Sequence, residues 1–147
     1  VRTQAKRAVG DSSSDPVTDA DYRQLLEFRT GLRRFLRWSE RLAAAAGLTP
    51  MQHQLLLAVR GHPDSRGPTI SDVAGYLLVR HHSVVQLVDR AERAGLVRRV
   101  PDAADGRIVR LALSQEGTGR LEELAAATKE ELSRMGSRLA GLWRGLQ

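Results

Sequence analysis

The sequence predicts a mainly α-helical domain carrying one small β-hairpin. Three observations lead there. Apolar residues recur at intervals of three and four through most of the chain, and that period switches to two in one stretch, residues 97 to 113. Gly, Pro, Ser and Thr fall where one run gives way to the next, which is where helices start and stop. With 147 residues, one core can bury roughly two-thirds of the surface of the unfolded chain, so a single domain is expected over residues 19–147.

Residues 1–18 include Gly10, Ser12, Ser13, Ser14 and Pro16 and show no apolar period, so they are expected to form a flexible arm. A first helix opens at Asp19 or Asp21, carries Leu25, Phe28, Leu32, Phe35, Leu42 and Ala46, and stops at Gly47. Thr49 caps a second, with Pro50 at its first position and Met51, Leu55, Leu56 and Val59 inside it. After a polar loop, His62 to Pro68, Thr69 or Ser71 caps a third helix with Ile70, Val73, Ala74 and Leu77 on one face. A tight turn leads to a fourth, where Val84, Leu87, Val88 and Ala91 share a side and Gly95 ends the run. Two strand-like runs, Val97 to Val100 and Ile108 to Leu113, flank a turn from Pro101 to Gly106. Ser114 caps the last helix, whose Leu121, Ala125, Thr128, Leu132, Met135, Leu139, Leu142 and Leu146 form a heptad seam. Gly136, Gly141 and Gly145 lie within it, each costing about 1 kcal/mol relative to Ala, so a kink or break is expected near Gly136.

Charge is unevenly placed. The formal net charge of +6 comes entirely from residues 21–47 and 80–110, each +3, and 21 of the 23 basic residues are Arg. Arg grips phosphates and guanine edges through a planar fork, so a polyanionic partner is expected. Two short helices joined by a tight turn and followed by a hairpin make a winged helix-turn-helix, whose second helix enters the DNA major groove. If Val84, Leu87, Val88 and Ala91 are buried, the 100° step points His82, Gln86, Asp89 and Arg93 outward, with Val85 and Arg90 on the flanks. Gln pairs with adenine and Arg with guanine, at about 1–3 kcal/mol of discrimination per bidentate contact.

The stretch DVAGYLLVRHHSVVQLVDRAERAGLV, Asp72 to Val97, resembles without a gap the helix-turn-helix of the multiple antibiotic resistance regulator (MarR) family. The segment PDAADGRIVRLALSQEG resembles that family's wing, with Asp105 and Arg107 at its acidic and basic tip positions, and GLTPMQHQLLLAV resembles its second helix. The likeness covers residues 21 to 147. Leu78 stands where the family often has a turn Gly, Arg80 where an Asp or Ser cap is common, and Gln86 where Arg is frequent. The resemblance implies a homodimeric transcriptional regulator, usually a repressor released by a small molecule. The expected DNA-facing set is His81, His82, Ser83, Gln86, Arg90 and Arg93 on the fourth helix and Arg99, Asp105 and Arg107 on the wing. Arg107 is expected in a narrow minor groove with Asp105 aiming it, while Arg98, Arg99 and Arg110 divide between phosphate contacts and solvated strand positions. Residues 19–47 and 114–147 are then dimerisation helices and 49–113 the winged lobe, because the first-helix stripe and the last-helix seam offer more apolar surface than one lobe covers.

The effector of such proteins lies between the dimerisation helices and the winged lobe, which here places Arg34, Trp38 and His53 near a cleft suited to a small aromatic anion. With no cysteine there is no thiol redox sensor and no thiolate metal site, and Met51 and Met135 are expected to be buried. Neither a metal site nor a cofactor is expected: His81 and His82 diverge by 100° on a helix, and HExxH is missing. No glycine-rich phosphate loop, GxSxG or Cys nucleophile points to an enzyme. A helical dimeric adaptor using the winged helix for protein contacts is the alternative. No apolar run reaches the ~18 residues of a membrane span and no signal-peptide stretch is seen, so the expected compartment is cytoplasmic.

Overall fold

The computed structural model describes residues 15–145, so most of the expected arm and the seam residue Leu146 lie outside the described residues. Helix α1 spans Asp19–Ala45, α2 Pro50–Gly61, α3 Ile70–Leu77, α4 His81–Arg93 and α5 Gln115–Gly145, with strands β1, Val97–Pro101, and β2, Val109–Leu113, before α5. Capping explains the starts. Thr18, Thr49 and Thr69 each accept a bond from the backbone N–H three residues on, and Asp21, Gln52 and Asp72 reach back to complete capping boxes. Ser114 Oγ accepts from the Gly117 N–H at 3.0 Å and starts α5. Gly47 and Gly95 follow the ends of α1 and α4 with φ of 75° and 74°, a conformation that glycine adopts without strain.

The core lies in the winged lobe, where Leu55, Leu56, Val73, Val84, Val88, Leu96 and Leu111 are fully buried and Leu121 and Leu124 of α5 close over them. Strands β1 and β2 pair antiparallel with Val97 opposite Leu113 and Arg99 opposite Leu111. Behind β2, the Leu111 N–H donates to Pro68 O at 2.9 Å, tying the hairpin to the loop before α3.

Two expectations fail, a break near Gly136 and the burial of Met51. The last helix runs through Gly136 and Gly141 as one unbroken span of 31 residues. It lies along α1, with Leu139 beside Gly31, where an added Cβ would come within 3.1 Å of the leucine, and this packing outweighs the ~1 kcal/mol each glycine costs. Met51 is also exposed rather than buried, because α2 turns Leu55, Leu56 and Val59 inward and leaves its first turn at the surface.

Candidate nucleic-acid interface

On α4 the apolar repeat decides which face is buried and which is left exposed. Val84, Val88 and Ala91 are fully buried, and His81, His82, Ser83, Gln86, Arg90 and Arg93 are exposed. The turn ahead of it bends at Leu78, whose φ of 55° is the left-handed conformation expected of a glycine there. Leu78 is 90% exposed, so its side chain avoids the core while its backbone makes the turn. Arg80 is the N-cap of α4, and among the described residues no side chain bonds the helix's first N–H groups. His82 lies inside the first turn, beyond the cap position.

At the wing tip Arg107 donates from Nε and Nη2 to the two Asp105 oxygens at 3.0 Å each, and its own N–H donates to Asp105 Oδ1 at 3.1 Å. Those bonds hold the Asp105 carboxyl below its usual range. The Arg107 side chain is 90% exposed, so its carboxylate partner sets its direction without hiding it.

Asp102 is the residue the sequence did not single out. Its carboxyl is buried, accepts from the N–H groups of Ala104 and Asp105 at 2.8 and 3.1 Å, and bonds Arg110 Nε. Arg110, then the two amides, lower its pKa to about 2. Arg66 adds a contact at 3.6 Å, and Arg110 Nη1 also donates to Gly67 O at 3.0 Å. The only sequence signal was an Asp at the head of a turn, a common Asx-turn position.

Two wing arginines need correction. Arg110 is spent on Asp102 and Gly67, so it is neither a free phosphate contact nor a solvated strand residue. Arg99, expected at a phosphate, instead binds Asp89 at 2.6 Å and Glu92 at 2.9 Å, because period two places it on the strand face of buried Val97, toward α4. Asp89, expected outward, is thereby drawn to the wing. Arg98, on the opposite face, stays exposed.

The effector set is divided. A groove of about 420 Å³ between α1 and α5 is lined by Arg34 and Arg138, by Leu26, Met135, Leu139 and Leu142, and by Glu27 and Glu131. Trp38 does not line it: the indole is half-buried and stacked on Phe35 with ring centroids 6.0 Å apart. His53 is buried in the lobe, where desolvation lowers its pKa, and it too lies away from the groove. The 3.6-residue repeat shows which face a side chain takes but not what packs over that face.

Comparison with known proteins gives this geometry its class. Residues 46–108 match the family model described as the MarR family. The chain is 28% identical over 120 residues to the transcriptional activatory protein BadR of Rhodopseudomonas palustris, covering 82% of this chain and 69% of that one. It is 30% identical over 88 residues to the HTH-type transcriptional repressor MdtR of Bacillus subtilis, 60% of this chain and just over half, 55%, of that one. The fold matches the S. aureus MepR–DNA complex with a TM-score of 0.62 at 21% identity, over 82% of this chain and 94% of that one. An exposed α4 beside an arginine-tipped hairpin is the arrangement of a winged helix-turn-helix. Over residues 46–108 this chain's winged helix-turn-helix is similar to those of the MarR family.

Proposed function

We propose that the protein is a homodimeric repressor that holds a pseudo-palindromic operator and lets it go when a small aromatic anion binds. The observation that carries this is the pairing of an exposed polar face on α4 with an exposed, carboxylate-aimed Arg107 on the adjoining wing. Gln86 and Arg90 read base edges in the major groove, His81, His82, Ser83 and Arg93 meet its walls and phosphates, and Arg107 enters the flanking minor groove with Asp105 directing it. Residues 49–113 form the reading lobe.

The dimer is built from α1 and α5. Tyr22, Leu36 and Trp143 are each more than half exposed there, and Leu25 and Leu132 nearly so, which is apolar surface a second copy would cover. The effector occupies the α1–α5 groove, its ring against Leu26, Met135, Leu139 and Leu142 and its carboxylate toward Arg34 or Arg138. Binding there shifts the pair of lobes only if the DNA-incompetent form binds the ligand more tightly, by about 1.4 kcal/mol for each tenfold loss of operator affinity. No described helix is long and apolar enough to cross a membrane; the likeness to transcriptional regulators supports a DNA binder at work in the cytoplasm.

The test is selection of bound fragments from random duplexes, followed by titration of phenolic carboxylates into the complex. Recovery of an inverted repeat, released by one of the panel in the wild type but not in Arg34→Ala with Arg138→Ala, is the expected outcome. An adaptor would select no duplex.

A further inference from the structure

Arg99 joins the two DNA-facing elements to each other. Its guanidinium donates to Asp89 at 2.6 Å and to Glu92 Oε1 at 2.9 Å, while its backbone N–H donates to Glu92 Oε2 at 3.1 Å. Asp89 and Glu92 are three residues apart and share one side of α4, so both carboxylates meet β1 across the turn at Gly95. The other edge of the hairpin is already fastened to the loop before α3, through the Leu111 N–H on Pro68 O and Arg110 on Gly67 O. The α4–β1 turn itself is held to the start of α5, where Ser114 donates to Gly95 O and Leu96 O, and beyond that turn Arg99 is the side chain that ties β1 back to α4.

Two carboxylates on a helix that approaches phosphates are an electrostatic cost, since like charges within a Debye length repel. We infer that Asp89, Glu92 and Arg99 form a clamp that sets where Arg107 stands when α4 lies in the major groove, so that these two acidic residues raise DNA affinity instead of lowering it. The inference rests on the reading of α4 and the wing as the DNA-binding elements. All three are positioning residues: each acts through Arg107 and the wing, not by touching DNA.

The experiment measures binding of a duplex selected by the wild-type protein, by fluorescence anisotropy, for Asp89→Asn with Glu92→Gln, for Arg99→Ala, for Arg107→Ala and for their combinations. Removing both carboxylates is expected to weaken binding about tenfold, and to have almost no further effect once Arg107→Ala is present, because coupled residues do not add. Melting temperatures report whether the lobe is intact. Should Arg99→Ala unfold it, Arg99→Lys keeps the charge and one of the two carboxylate bonds, and an intermediate loss is expected. The clamp is overturned if removing the carboxylates raises affinity, as loss of two negative charges beside phosphate would do by itself, if affinity does not change, or if the losses add to that of Arg107→Ala. A wild-type protein that binds no duplex would overturn the DNA-binding reading and the clamp together.

Discussion

Asp102 organises the wing from inside. Its carboxylate closes the 102–105 turn through two amides and takes Arg110 at its second oxygen, so Asp102→Asn is expected to loosen the tip and weaken duplex binding without altering α4. The pH dependence follows in sign. The folded pKa of about 2 lies below the ordinary 3.8, so the stabilisation is complete above pH ~4 and is lost as pH falls toward 2, with the amide resonances of Ala104 and Asp105 moving over that window. Exposed side chains are expected to separate reading from gripping. Gln86→Ala or Arg90→Ala should alter base preference by about 1–3 kcal/mol, whereas Arg107→Ala should weaken binding mainly where the flanks are A·T-rich, as competition between duplexes would show. The wing segment PDAADG shows two acidic residues to a reader of sequence, and its likeness to a known wing singled out Asp105. That the other is buried depends on Arg110 and Arg66 arriving from elsewhere, which no local pattern encodes.

At the level of elements, most boundaries were legible because the capping chemistry is local. Thr49, Thr69 and Ser114 each start a helix where a hydroxyl precedes an apolar run. What was not legible came from packing between elements. The length of α5 depends on α1 lying beside it, the isolation of Trp38 on Phe35, and the burial of Leu124 on the lobe beneath it. Arg99 was readable in principle: it shares a face with Val97, and a strand whose first residue is core turns its third the same way. The contact of α5 with the wing yields its own prediction. Gly117 lies so close to the turn before β1 that an added Cβ would sit 2.1 Å from Leu96 O, so Gly117→Ala should lower stability by about 1–3 kcal/mol in chemical denaturation, although alanine is the better helix former. At Gly119, where nothing lies within 4 Å, the same change should be neutral or stabilising.

For the whole molecule, the apolar faces of α1 and α5 and the basic blocks at 21–47 and 80–110 make one demand each. The first calls for a second copy, so sedimentation at micromolar concentration is expected to show a dimer, with two α4 helices meeting successive major grooves about 34 Å apart. The second calls for phosphate. Seven of the 23 basic residues fall in 80–110, and Arg99 and Arg110 are spent on internal partners, so Arg80, Arg90, Arg93, Arg98 and the exposed Arg107 are the ones expected to meet DNA. The most direct measurement is therefore the affinity for a selected duplex across a salt series. Each phosphate contact adds a slope of about −0.9 in log K against log[salt], so a dimer making roughly 6–10 contacts should lose several orders of magnitude in affinity between low and high salt. A flat salt response would contradict the account at its centre.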